Sequence, residues 1–395
     1  MRDLWGFCFF AFGAIVILKL SRGNARLRNL LFVAFIVRAF FALVHYYVIP
    51  LPDSQADAVS FEVTAARWAQ AGFWEALEKF RTGSKLYPWV IAMLYSIFGR
   101  NPLMAQAVNV ILGTLIVYNV FWIAFLLWGK KHAYCSAWCV TLFPTLVLYS
   151  AITMRETMIV FPLTLGTLCF IRWLKEDRLI DFLGAVFMYG LSVAFHTGTL
   201  PAIFVAGLAA LRRLLDALYF ARTRALVRRS IAVCCLFLII FAILSTGWGL
   251  SKAGIIMRSG DFVESIALQQ ARAARSRAAY LRNLQPDNFL DLILQVPVRI
   301  VYFLFMPFPW LVSSLADLLG LIIAGCNFVV TLLVISSLVR ILEQKERRWV
   351  FWTLLFLLIT FSIGTSNYGT AVRHSAKLVP LALALARIPR VRIWA

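Results

Sequence analysis

The chain is 395 residues long, 62% apolar and 15% aromatic, with 39 Lys and Arg against 18 Asp and Glu for a net charge of +21. These fractions exclude an ordinary soluble domain. Apolar runs longer than the roughly 18 residues that cross a bilayer predict an all-α polytopic membrane protein, and strand alternation, the mark of a barrel, is absent. The Lys and Arg sit in short loops between apolar runs, where topology and anionic headgroups ask for them, so no nucleic-acid partner is implied.

Residues 4–20 predict a first helix with no small-residue cleavage site after it, hence a retained span, not a signal peptide. The following loop carries Lys19, Arg22, Arg26 and Arg28 without an acid, which the positive-inside rule places in the cytoplasm. A second helix, 29–51, then leads outward to the first long polar loop, 53–88. That loop holds Asp53, Asp57, Glu62, Glu75 and Glu78, five of the 18 carboxylates. Arg38 falls about nine residues into the second helix, near mid-bilayer at about 1.5 Å per residue. A charge at that depth needs a partner in the bundle, and His45 lies on the same stripe.

Segment 86–99 is short for a span. If it crossed, Lys130, Lys131 and the run from Arg212 to Arg229 would lie outside, against the charge bias, so it is expected to rest on or re-enter the membrane. Spans are then predicted at 102–128, 132–150, 155–174, 179–195 and 199–211, followed by an interfacial basic segment, 212–229, and a span at 230–250. A second outer loop, 251–295, is rich in Ala and Arg at its centre, with Arg272, Arg275 and Arg282 close to one helical face. Segment 291–309, with Pro297, Pro307 and Pro309, reads as a second non-crossing or broken helix. Spans 311–341 and 349–363, the turn SNYGTAVRH and a last helix with a basic tail complete one integral membrane domain. The sum is about eleven crossings plus two membrane-resting segments.

The seven cysteines fall in or beside predicted spans and imply no disulfide framework. His132, Cys135 and Cys139 share a helix face, which small packing residues explain more simply than a metal site. Asp53, Asp57 and Glu62 could ligate a hard cation, but no carbonyl-rich loop supports one, so no cofactor or metal is expected.

This topology gathers polar residues at the outer face, where ionisable groups are costly and hence functional or paired. Asp53 and Asp57, four apart, would share a face if helical, and a carboxylate there could take the proton of an attacking acceptor hydroxyl. Asp53 also suits an N-cap, and Glu62, off that face, could support the pair. Glu156 has a simple role in a first helical turn. Arg155 beside it needs a carboxylate or a phosphate, for which its planar fork is suited. His196 reads equally as a structural or a ligand-contacting residue. Arg373 and His374 flank the same vestibule, Arg373 as a phosphate clamp or a snorkelling cation. Lys85, Arg272 and Arg275 complete the candidate substrate-binding set. No cytoplasmic domain for nucleotide-sugar chemistry is visible, so a donor used outside would be lipid-carried.

Three stretches carry a family resemblance. DAVSFEVTAARWAQAGFW is similar to an acidic motif ahead of an aromatic and small-residue helix. KLYPWVIAMLYSIFGRNPLMAQAVNVILGTL resembles a Pro-Leu-containing helix ending in Phe-Gly, followed by an Ala- and Asn-bearing span. FPTLVLYSAITMRETMIVFPLTL has the pattern of a Pro-containing span, a polar outer turn and a further helix. Over roughly its first 200 residues the chain resembles the GT-C superfamily of polytopic glycosyltransferases, which use polyprenyl-phosphate-linked sugars and include protein mannosyltransferases and aminoarabinose transferases. It departs from them in an extra early helix, in the split acidic pair and in having no soluble C-terminal domain.

The resemblance implies Asp57, or Asp53, as catalytic base of an inverting transfer, with Arg155 or Arg373 on the donor phosphate. The expected protein is a bacterial inner-membrane enzyme with a periplasm-facing site. Its donor would be a polyprenyl-phosphate-linked sugar and its acceptor a glycan or glycolipid. A polymerase of lipid-linked repeat units is the nearest alternative, and a lipid-linked sugar flippase or transporter the alternative of another class.

Overall fold

The computed structural model describes residues 3–219, 230, 262–273 and 277–388. The expected span 230–250, most of the basic run 212–229, residues 251–261, Arg275 and the tail beyond 388 lie outside or almost wholly outside the described residues. Among those described every regular element is helical, and the single β-bridge joins Ala279 to Asn367. Among the described residues five helices are long and apolar enough to cross a membrane: Ala25–Tyr47, Pro102–Trp128, Glu156–Glu176, Thr197–Tyr219 and Asp317–Ser336. A bent pair, Lys130–Leu142 with Pro144–Ala151, makes a sixth candidate, and Leu4–Leu20 and Leu179–Phe195 are shorter apolar helices. The chain forms two compact units, one running to Leu165 with Ala194–His196 and Ile388, the other made of Gly166–Val193 and Thr197–Arg387.

In the first unit α1 (Leu4–Leu20), α2 (Ala25–Tyr47), α3 (Asp57–Gln70), α4 (Phe73–Glu78), α5 (Leu86–Phe98), α6 (Pro102–Trp128), α7 (Lys130–Leu142) and α8 (Pro144–Ala151) follow in order. Helix α6 is the core, packed by α1, α2, α7 and α8. It starts sharply because Asn101 accepts from the Met104 amide at 2.9 Å and Pro102 needs no donor there. Gly129, at φ +86°, turns the chain directly from α6 into α7.

The ends of these helices show where the first polar loop returns. Tyr46 and Tyr47, at the end of α2, both donate to the Asp3 carboxylate at the start of α1. Helix α6 runs parallel to α1, with Gly6 against Leu103 and Gly13 against Ile111. Trp5 and Phe9 pack on Phe98, the last residue of α5. At the opposite end Tyr134 of α7 donates to Asn24 of the α1–α2 loop. The segment between α2 and α6 therefore leaves and re-enters the unit at the same end. Helix α5 does not carry the chain across it.

Several expectations change in detail. The predicted helix 132–150 is broken at Phe143 with a 56° bend. Pro144 has no N–H to give the carbonyl of Val140, one turn back. The second unit contains α9 (Glu156–Glu176) from residue 166, α10 (Leu179–Phe195) to residue 193, α11 (Leu200–Tyr219), α12 (Phe262–Ala273), α13 (Phe289–Phe305), α14 (Leu315–Ser336), α15 (Leu338–Glu343), α16 (Lys345–Ile363), α17 (Tyr368–Ala376) and α18 (Val379–Leu385). Helix α13 runs unbroken through Pro297 and stops before Pro307. The predicted spans 311–341 and the last helix are each divided, at Ser337 and at Lys377–Leu378. Helix α11 continues to Tyr219, so the basic segment does not begin at 212 as a separate helix. Arg213 is buried within it, donating to the carbonyl of Trp173 and to Asp177 at the end of α9, and its guanidinium lies 4.3 Å over the Trp173 ring.

Candidate active site

The first loop folds onto the end of unit 1 through α3 and α5. The predicted helical pairing of Asp53 with Asp57 is corrected. Helix α3 begins only at Asp57, its N-cap position is Ala56, and Asp53 stands in the preceding turn at φ +61°. That left-handed backbone is one that Asp tolerates better than most residues, and it removes both the shared face and the N-cap role. Both carboxylates are exposed, Asp57 in the first helical turn where the dipole favours an anion.

Glu62 has a different task. It is buried and bonds Arg100 in fork geometry, at 2.9 and 2.8 Å, and accepts from the Tyr95 hydroxyl at 3.3 Å. This ties α3 to the α5–α6 junction, which makes Glu62 a fastening for the helix that starts at Asp57. Burial first, and then the Glu62 carboxylate, raises the Tyr95 phenol well above its ordinary value.

One turn beyond Asp57, Phe61 meets the ring of Tyr87 edge-on with centroids 5.5 Å apart. Tyr87 is fully buried and accepts from the amide of Asn109 on α6 at 3.0 Å. The same amide nitrogen donates to the carbonyls of Ile152 and Met154 at 2.8 and 2.9 Å, and the amide oxygen accepts from Thr157 at 2.9 Å. The turn held in this way carries Arg155 and Glu156. Arg155 is half-buried and donates to the Phe195 carbonyl at 3.3 Å, next to His196. Glu156 is buried in the first turn of α9. Burial pushes the Tyr87 phenol above its ordinary value; the Asn109 bond opposes this and the Glu156 carboxylate adds to it.

Arg155, Glu156 and His196 thus come together at one end of unit 1. Helix α3 is joined to them through Phe61, Tyr87 and Asn109. Lys85 is exposed, two residues before Tyr87. The candidate site set read from the sequence does not include Tyr87, Asn109 or Thr157. Polar residues recurring inside otherwise apolar segments were the available signal, since buried amides and hydroxyls must be satisfied.

The remaining candidates belong to unit 2. Arg373 and His374 are half-buried on α17, whose N-cap Asn367 accepts from the Thr370 amide. His374 Nδ1 lies 3.0 Å from Thr365 Oγ1, and the ring rests on Phe361. The turn before α17 is clamped by residues within the second predicted loop: the Tyr280 amide donates to the Ser366 carbonyl at 3.0 Å, and the Tyr368 amide to the Ala278 carbonyl at 2.9 Å. Arg277 grips the buried Asp317 with two bonds at 3.0 and 2.9 Å, and Tyr368 donates to the same carboxylate. Arg272 lies on α12, while Arg275 is outside the described residues.

Arg38, expected to find a partner in the bundle, has backbone partners. Its guanidinium donates to the carbonyls of Ala34, Thr141 and Val140, each at 3.1 Å. His45 does not share that role; its Nδ1 accepts from the Leu51 amide. Among the described residues no group of three or more His, Cys, Asp or Glu side chains is placed to hold a metal ion.

The α5 helix, the Asn109 clasp, the Arg155–Glu156 turn and His196 all fall inside one stretch with a recognisable family pattern. Residues 84–248 match the dolichyl-phosphate-mannose-protein mannosyltransferase family. It is a GT-C family, so the resemblance read from the sequence is shown over this stretch. No curated protein matches the chain. The mannosyltransferase-type match supports a membrane glycosyltransferase of the GT-C type that uses a lipid-linked sugar. Asp53, Asp57 and Glu62 precede the matched region, and Arg373 and His374 follow it.

Proposed function

We propose that the protein transfers a sugar from a polyprenyl-(di)phosphate-linked donor to a cell-surface polysaccharide or glycolipid acceptor, on the extracytoplasmic face of a bacterial inner membrane. The observation that carries this reading is the linkage of Asp57's helix, through Phe61 and Tyr87, to the Arg155–Glu156 turn inside the mannosyltransferase match.

In the proposed step an acceptor hydroxyl attacks the anomeric carbon of the donor sugar. Asp57, exposed at the start of α3, takes the hydroxyl proton as the new carbon–oxygen bond forms. The bond from the anomeric carbon to the phosphate oxygen breaks, and the electron pair leaves with the lipid phosphate. Displacement from the opposite side inverts the anomeric configuration. Arg155 pairs with the departing phosphate through charge-assisted bonds, which gain strength as charge builds there. His196, Glu156 and Lys85 line the same end and orient donor or acceptor. Arg373, His374, Arg272 and Arg275 are proposed as further donor or acceptor contacts.

The test uses the full chain in lipid nanodiscs with polyprenyl-phosphate mannose bearing a tritiated sugar and a membrane glycolipid extract as acceptor. Transfer of label to the extract is expected, with Asp57→Asn lowering it by about a hundredfold or more at unchanged thermal stability. Undiminished transfer by Asp57→Asn would remove Asp57 from the role of base.

A further inference from the structure

We infer that Asn109 is a positioning residue, whose side chain sets the conformation of the 152–157 turn and so the places of Arg155 and Glu156. Asn109 is the eighth residue of α6, past its first turns, and is fully buried. Nothing about helix formation calls for an amide there, since Asn is a poorer helix former than Ala or Leu. Burying it without partners would cost roughly 2 kcal/mol or more. It is kept satisfied by groups distant in sequence, all but one of them in a single turn.

The bonding pattern is directional. Ile152 and Met154 offer only carbonyl acceptors, and Thr157 offers a hydroxyl donor to the amide oxygen. Rotating the amide by half a turn would set its oxygen against two carbonyl oxygens, so only one orientation satisfies all four partners. The nitrogen has two hydrogens for three acceptors, the third being Tyr87 Oη, so one hydrogen is shared. The non-helical link 152–155, held at 152 and 154 and at its far end through Thr157 in the first turn of α9, has little freedom left at 155 and 156. One amide therefore fastens three things together: α5 through Tyr87, the turn, and the first helical turn of α9.

The consequence for turnover rests on the proposed glycosyltransferase reading; the consequence for the turn does not. The test pairs an activity-independent readout with an activity readout. Thr153, buried within the turn, is replaced by cysteine in the full chain. Maleimide labelling of the Thr153→Cys thiol in nanodiscs is then compared with Asn109→Asp, Asn109→Leu or Thr157→Val added. Asn109→Asp keeps the acceptor for Thr157 but loses the donors and faces the two carbonyls with an anion. Thr157→Val removes one bond only.

Labelling is expected to rise about tenfold in both Asn109 variants and less in Thr157→Val. Without the reporter, the Asn109 variants should lose about a hundredfold in kcat, as for a reacting group displaced by about an ångström, while KM for polyprenyl-phosphate mannose changes less than about threefold. Should Asn109→Leu fail to fold, Asn109→Asp and Thr157→Val carry the comparison. Unchanged labelling in every variant would overturn the inference, as would increased labelling at unchanged kcat. Increased labelling in a chain whose unmodified form transfers no sugar would keep the control of the turn and reject the glycosyltransferase reading.

Discussion

Arg38 and Val140 meet where Pro144 has broken the helical ladder. The carbonyl of Val140 would have received an amide hydrogen from position 144, and proline has none to give. An Arg38 nitrogen takes that place at 3.1 Å, and a second reaches the Thr141 carbonyl at 3.1 Å. The cation also lies at the negative end of the α7 dipole, which offsets part of the cost of burying it without a carboxylate. Gly113 makes the room: a Cβ there would stand 2.2 Å from Ser150 Oγ and 3.1 Å from Arg38 Nε.

Arg38→Met should therefore destabilise unit 1 by about 3 kcal/mol, since it leaves buried carbonyls without donors. Arg38→Lys, a point charge without a fork, should recover only part of this. Chemical denaturation in detergent measures both, and wild-type stability in Arg38→Met would refute the capping role.

Arg213 does the same for α9 in the second unit, where it meets the Trp173 carbonyl, Asp177 and the face of Trp173. Replacing it with Gln should cost about 3 kcal/mol, because one partner of a largely buried charge pair is lost. The neighbouring Arg212→Gln, an exposed position, should stay within about 0.5 kcal/mol. Equal effects at 212 and 213 would show that charge count, not burial, governs this segment.

Tyr95 should leave an alkaline signature. Its phenol is raised by burial and by Glu62 in the fold, while the unfolded chain ionises near pH 10. The unfolded state thus releases the proton first, so stability from this group is whole below about pH 10 and is lost as pH rises toward the folded value. Thermal midpoints from pH 9 to 11.5 should fall more steeply for the wild type than for Tyr95→Phe. Parallel curves would contradict the assignment.

Arg155 is predicted to act on the donor's charged group. Arg155→Ala should lower kcat by about a hundredfold and, because the charge is removed outright, also raise KM for polyprenyl-phosphate mannose by about tenfold, with Arg155→Lys between it and the wild type because the planar fork is lost while the charge stays. Initial rates against donor concentration decide this, and an unchanged KM in Arg155→Ala would take the residue off the phosphate.

Much of this was written in the chain itself. Apolar run length and the placement of Lys and Arg determined the helical membrane class, because a bilayer leaves a backbone almost no other way to satisfy its polar groups. Counting helices puts Arg155, Glu156 and His196 at the same end, among a larger expected group, and the charge bias of the later loops argues against α5, short for a span, carrying the chain across. Periodicity could not decide where helices break or which side chain fills a gap far away in sequence. Asp53 and Asp57 are spaced for one helical face, yet the backbone turns at Asp53 before the helix begins. Glu62 carries the same charge as Asp57, and only its burial against Tyr95 and Arg100 makes it a fastening. Apart from Ala34, one turn from Arg38, the partners of Arg38, Arg213 and Asn109 lie between 36 and 103 positions away or, for Tyr87, 22. Local sequence sets what a residue can bond to, and the packed helices decide what is within 3 Å of it.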